Sequence, residues 1–358
     1  MKRLLPPMLI LAGLAPQASP AGPESGSVVP LVTIPRQGVA MGTSWSLSIR
    51  GSGRSATLAA SEQIVRELEL GEQRLSNWLP NSELSRWNRV QPGRHLPCDQ
   101  TLIGELRRAE HWRKVTGGAF SHLAEPLVRA WDLRGQGRIP TATAISEALA
   151  ACDPMGLSWQ GGQPLRHKAT KVASGAFGKG AAMDAAFANL GAKDSPSVAL
   201  NLGGQLLVHG FTETIDIAHP QHREQTVATW TIDSGSLATS GNSERGLLID
   251  GRRYSHILDA RTGQPAEDFG SVTVWCDKAI DADCLSTALF VLGPDEGLRL
   301  AATLPTVRVL FIENTSVGLL LRASPNCKPQ LQSTLPIQWF EESPKDQTSP
   351  SKPARTSK

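Results

Sequence analysis

Apolar residues recur along this chain at two periods, and the change of period divides it. In ATLAASEQIVRELELGEQRLSNWL (56–79), Leu58, Ile64, Val65 and Leu68 fall at helical spacing, which predicts a helix with one buried stripe. PNSELSRWN (80–88) follows with the turn residues Pro80 and Asn81. DQTLIGELRRAEHWRKVTGG (99–118) predicts a second helix closing on Gly117 and Gly118. ATAISEALAAC (142–152) and the Ala-rich GKGAAMDAAFANLGA (178–192), ended by Gly191, predict two more.

Elsewhere the period is two, or the run is apolar throughout. SWSLSIRG (44–51) predicts a strand, and SVALNLGGQLLVHG (197–210) with ETIDIAH (213–219) predicts strands around a double-glycine turn. TVATWTIDSGSLATSG (226–241), GLLIDGRRYSHILD (246–259) and SVTVWC (271–276) predict further strands. VRVLFIE (307–313) and SVGLLLR (316–322) predict a terminal hairpin with Asn314 in its turn. Strands and helices mix without a regular βαβ beat. The expected fold class is therefore α+β, a single domain with mixed or antiparallel sheets and flanking helices.

The ends read differently. Lys2 and Arg3, the apolar LLPPMLILAGLA and the small residues after it predict a signal peptide over residues 1–22. The stretch is too short to span a bilayer comfortably, so the mature chain is expected to have no transmembrane segment and to be exported to a periplasm. Residues 23–35 read as a linker, 36–340 as the folded domain and 341–358 as a disordered basic tail. A formal charge of +3 gives no case for nucleic acid. The five cysteines, Cys98, Cys152, Cys276, Cys284 and Cys327, show no CxxC spacing, and thiols that merely pack are the simpler reading.

Three stretches and two single residues carry candidate chemistry. DADCLSTALFVLG (281–293) places Asp283 and Thr287 one turn apart on a helix face, either as a helix cap or as hard oxygen ligands for a metal ion. In ASGAFGKGAAMD (173–184), a Gly-rich loop, Lys179 and a helix start suit an anion, and equally a tight turn. RRYSHILDARTGQP (252–265) sets the titratable His256 beside a polar turn of Asp259, Arg261, Thr262 and Gly263. Met41 and Trp78 suit an aromatic ligand, although core filling is the simpler reading of both. No GxGxxG, GxSxG, HExxH or paired-carboxylate motif appears.

Taken in order, MGTSWSL, RLSNWLPNSELSRWN, GGAFSHLAEPLVRAWDL, SGAFGKGAAMD, NLGGQLLVHG, LATSGNSERGLLIDGRRYSHILDARTGQP and SVTVWCDKAIDADCLSTALFVLG resemble the FAD:protein FMN transferases, the ApbE-like family, over residues 38–303. The resemblance implies a tunnelling-fold-like α+β domain. It implies Mg²⁺-dependent transfer of FMN from FAD to a Thr or Ser hydroxyl of an acceptor flavoprotein, with release of AMP. Carried over by position, Met41, Trp78, Ala119, Phe120, Ser121, Ala173, Lys179 and Ile257 contact the flavin dinucleotide. The Ala176 carbonyl, Asp283 and Thr287 ligate the metal, and His256 is the candidate base. Ser121 and Ala173 stand where the family usually has Asp, Gln205 where Glu is common, and Ser286 where some members have a further acid. These departures keep two alternatives beside the transferase: a pyrophosphatase splitting FAD into FMN and AMP, and a flavin-binding protein without catalysis.

Overall fold

The computed structural model describes residues 30–188, 190, 196–242, 246–249 and 251–341. The signal-peptide stretch, Gly191 and residues 342–358 of the basic tail lie outside them. The main sheet is a meander. Its strands are β1 (Leu31–Ala40), β2 (Thr43–Ser52), β3 (Ser197–Leu202), β4 (Gln205–Ala218), β5 (Thr226–Gly241), β6 (Gly270–Cys276), β7 (Arg308–Thr315) and β8 (Gly318–Ala323), each antiparallel to the next. The chain then folds back: β9 (Leu331–Ser333) pairs with β5, and β10 (Ile337–Trp339) runs parallel to β8.

Seven helices are found among the described residues. Six sit between β2 and β3: α1 (Arg54–Leu75), α2 (Glu83–Arg89), α3 (Gln100–Val115), α4 (Glu125–Ala130), α5 (Ala142–Ala151) and α6 (Gly178–Ala188). The seventh, α7 (Ala279–Ala302), joins β6 to β7 and kinks at Gly293, ahead of Pro294. Short antiparallel ribbons pair 157–160 with 163–166, 246–249 with 252–255, and 258–259 with 264–265. The described residues from Leu31 onward belong to one compact unit. No helix among them is long and apolar enough to cross a membrane.

The apolar runs of β6 and β7 follow from burial on both faces. Val272, Val274, Val309 and Phe311 enter the core under α3 and α7, whereas Trp275, Leu310 and Ile312 enter a second core on the opposite side. That second core is closed by Cys327 and Leu331 of the returning C-terminal segment. A third cluster sets α1 and α6 on β1, β2 and β3; α1 buries Ile64 and Leu68 there. Leu58, counted into the same stripe from the sequence, is exposed. Helix α1 meets α6 closely, because a Cβ on Gly71 would lie 2.7 Å from Ala182 Cβ.

Four expectations need correction. Residues 31–35 are not linker but the first half of β1, paired with β2 from Leu31↔Ser52 onward. The stretch after Pro80 and Asn81 is helical: Ser82 Oγ accepts the Ser85 amide at 3.0 Å and starts α2. Asn314 is inside β7 opposite Leu319, and the hairpin turns at Ser316 and Val317. His256 lies on a bend between the ribbon strands 252–255 and 258–259, not within a strand.

Candidate active site

The start of α7 carries two aspartates of opposite employment. Asp281 is consumed by structure: Arg108 binds it through Nε and Nη2, and Trp112 Nε1 donates to Oδ1 at 2.6 Å. Asp283, two residues on, faces α6 instead. Its Oδ2 accepts the Gly180 amide at 3.1 Å, and its Oδ1 lies 3.3 Å from Lys179 Nζ. The carboxylate is 5% exposed. A helix N-terminus, an ammonium and a buried carboxylate thus converge where α6 and α7 meet. Thr287, half-buried, follows one turn later on α7, and Ala176 precedes α6 by two residues.

The other carried-over positions are placed by core packing and by main-chain bonds. Ala119, Phe120 and Ile257 are buried in the core that Met41 and Ala176 flank. Met41 has φ 53, uncommon for a residue with a side chain, and a Cβ on Gly178 would lie 3.4 Å from its Cε. The Ala173 amide donates to the His122 carbonyl at 2.8 Å, which ties Ser121 and Ala173 into one segment pair. Asn77 and Asn88 grip the same segment. Asn77 Nδ2 donates to the Val172 carbonyl at 2.9 Å and its Oδ1 accepts the Ser174 amide at 2.8 Å. Asn88 exchanges two bonds of 2.8 Å with Val172. The loop before α6 is therefore fixed by two buried or half-buried amide side chains.

Trp78 overturns its simpler reading. It is 68% exposed, not core filling, and Arg134 stands 5.7 Å from its ring centre. The sequence DARTG is the Asx-type turn it resembles: the Arg261 amide donates to Asp259 Oδ1 at 2.8 Å and the Gly263 amide to the Asp259 carbonyl at 2.8 Å. His256 is half-buried at the entry to this turn, next to the buried Ile257.

Two departures from the family pattern have structural jobs. Gln205 is buried, and its Nε2 donates to the Ala279 carbonyl at 2.8 Å and to Ser236 Oγ at 3.3 Å. A carboxylate has no proton to give that carbonyl. Ser286 Oγ donates to the Asp283 carbonyl at 3.1 Å and accepts from Ser240 Oγ at 3.0 Å. Its hydroxyl is thus engaged within the protein. One residue escaped the sequence reading. Asp184 of α6 accepts the Ala279 amide on Oδ1 at 2.8 Å and the Ile280 amide on Oδ2 at 2.9 Å. Burial is the chief cause that raises its carboxyl to about 6, against those two bonds. No local signal marks a cap supplied by a different helix.

Sequence and fold place the chain among the flavin transferases by likeness. A FAD:protein FMN transferase of Treponema pallidum (strain Nichols) is 30% identical over 278 residues, 71% of this chain and 77% of that protein. One of Klebsiella pneumoniae (strain 342) is 28% identical over 309 residues, 82% of this chain and 86% of that protein. The crystal structure of the Pseudomonas stutzeri flavinyl transferase ApbE in its apo form superposes with a TM-score of 0.74 at 26% identity, over 84% of this chain and 97% of that one. The ApbE family model matches residues 41–311, and the chain belongs to the ApbE family.

Proposed function

We propose that this chain is an exported, Mg²⁺-dependent FAD:protein FMN transferase that places FMN on a Ser or Thr hydroxyl of an acceptor flavoprotein in a periplasm and releases AMP. The observation that carries the reading is the convergence of Lys179, the Gly180 amide and Asp283 at the α6–α7 junction, in a chain of this family.

No cluster of three His, Cys, Asp or Glu side chains that would hold an ion occurs among the described residues. The donor set is one buried carboxylate, one half-buried hydroxyl and a main-chain carbonyl, all hard oxygens. That suits Mg²⁺, which keeps several waters and binds through one or two carboxylates plus substrate phosphates. Asp283, Thr287 and the Ala176 carbonyl would hold it. Bound there, Mg²⁺ supplies neutralisation of the charge that builds on the diphosphate oxygens.

The chain's own groups supply the rest. Lys179, at the start of α6, brings its ammonium to the diphosphate oxygens. Met41 and Trp78 flank the isoalloxazine, and the buried Ala119, Phe120 and Ile257 form the core against which Met41 packs. The acceptor oxygen attacks the phosphorus on the riboflavin side. The P–O bond to the AMP phosphate breaks, and the bridging oxygen leaves with AMP. His256 takes the hydroxyl proton, since an imidazole is a competent base near neutral pH.

The test incubates the full chain with FAD, Mg²⁺ and an acceptor protein bearing a Ser/Thr target. Flavin fluorescence that stays on the acceptor after denaturation, with one AMP per label, is the expected result. AMP without label makes the protein a pyrophosphatase. Bound FAD with neither product makes it a carrier. Either outcome overturns the transferase reading.

A further inference from the structure

We propose that Asp184 is a positioning residue for the metal-ligand helix: from α6 it fixes the start of α7, and so sets where Asp283 and Thr287 stand relative to Ala176 and Lys179. The inference deepens the proposed function and rests on its metal reading.

Three contacts lock one turn. Both Asp184 oxygens take the free amides at the head of α7, from Ala279 and Ile280, at 2.8 and 2.9 Å. Gln205 Nε2 takes the Ala279 carbonyl at 2.8 Å. Gly180 packs so closely that a Cβ would lie 2.2 Å from the Ala279 carbonyl oxygen. Lys278, the residue before α7, gives no side-chain cap of its own. The first amides of a helix have no partner inside it, so the cap from α6 is what satisfies two of them. Because Asp184, Gly180 and Lys179 ride on one helix, the element that caps α7 also carries the cation and the amide that meet Asp283. A shift at the cap therefore moves Asp283 relative to its own partners. The hydrogen bonds of Asp184 run to the Ala279 and Ile280 amides, so it acts through α7.

The test reads Mn²⁺ affinity by electron paramagnetic resonance on the full chain, with thermal melts alongside. Asp184→Ala is expected to weaken Mn²⁺ at least tenfold. Asp184→Asn keeps one carbonyl oxygen for one of the two amides, and is expected to weaken it about threefold. Thr141→Ala removes an ordinary cap, the 3.2 Å bond from the Ala144 amide in α5, and is expected to lower the melting temperature while leaving Mn²⁺ affinity unchanged. Asp283→Ala is expected to abolish binding. Wild-type affinity in Asp184→Ala and Asp184→Asn, with binding lost in Asp283→Ala, overturns the inference alone. Wild-type affinity in Asp283→Ala overturns the metal reading and the inference together. Should Asp184→Ala not fold, Asp184→Asn decides: wild-type affinity overturns, weakened affinity supports.

Discussion

Asp283 Oδ2 accepts the amide hydrogen of Gly180 at 3.1 Å, and this bond joins α6 to α7. Gly180 is needed there for space. Its Cβ position lies 2.2 Å from the Ala279 carbonyl oxygen and 2.6 Å from the Ile280 nitrogen, both main chain. Neither atom can yield without moving α7. Gly180→Ala is expected to cost about 1–3 kcal/mol of stability, as overpacking does. The same change is expected to lower FMN transfer by tenfold or more. Urea denaturation and a flavinylation assay on one preparation check both; wild-type turnover would show the spacing to be incidental.

Asp281 and Asp283 look alike in the sequence and should fail differently. Asp281→Asn breaks a bidentate partner of Arg108, whose side chain is 40% exposed, and weakens the acceptor of buried Trp112. A stability loss of about 1–2 kcal/mol is expected, discounted because water screens Arg108. Mn²⁺ affinity is expected to stay within threefold of wild type. Asp283→Asn should do the reverse: a small change in melting temperature, with Mg²⁺-dependent turnover falling by about two orders of magnitude. Calorimetry paired with a metal titration separates them, and equal effects of the two changes on turnover would refute the division of labour.

How much of this was legible beforehand follows the range of the interactions. Periodicity is local, so α1, α3, α5 and the meander strands after β1 were readable from Leu68, Leu106 or Trp230 and their spaced neighbours, whereas half of β1 passed for linker. The terminal hairpin was placed but mis-turned, because Asn314 is a common turn residue and the pairing with Leu319 is not written locally. The short α2 hides behind Pro80 and Asn81, and its only sequence mark is the cap Ser82. The motif residues at Lys179 and Asp283 were found, but not their contact, which spans 104 positions. Asp184 and Gln205 were missed as supports of α7 because each acts on main-chain groups of a distant segment, where no side-chain pattern records it.

His122 and Asp184 should tilt stability in opposite directions with pH. His122 is fully buried, neither ring nitrogen has a hydrogen-bond partner among the described residues, and burial lowers its pKa to about 4 despite Glu110 at 4.0 Å. The unfolded chain takes up this proton near pH 6.5 and the folded chain only near pH 4. Stability is therefore lost as pH falls across that window, by up to about 3 kcal/mol. Asp184, raised to about 6, takes up its proton earlier in the folded state than in the unfolded one, so its contribution grows as pH falls from about 6 to 4. His122→Leu should leave the second slope exposed, and Asp184→Asn the first. Urea midpoints of the two variants at pH 4.5 and 7 check the signs; parallel slopes in both would show that neither group titrates in this way.

Trp78 offers the cleanest separation of binding from folding. The side chain is 68% exposed, so truncating it removes little buried surface, and the Arg134 guanidinium stands 5.7 Å from its ring centre. Surface changes of this kind shift stability by about 0.5 kcal/mol or less. Against a flavin ring the same indole supplies aromatic contact of about 0.5–1.5 kcal/mol beyond area burial, which converts to roughly a two- to twelvefold change in affinity. Trp78→Ala is therefore expected to weaken FAD binding about fivefold with an unchanged melting temperature, and Trp78→Phe to recover most of it. Equilibrium dialysis with FAD measures the first quantity and a thermal melt the second. An unchanged FAD affinity in Trp78→Ala would remove the indole from the flavin site and leave Met41 as the side chain to test next.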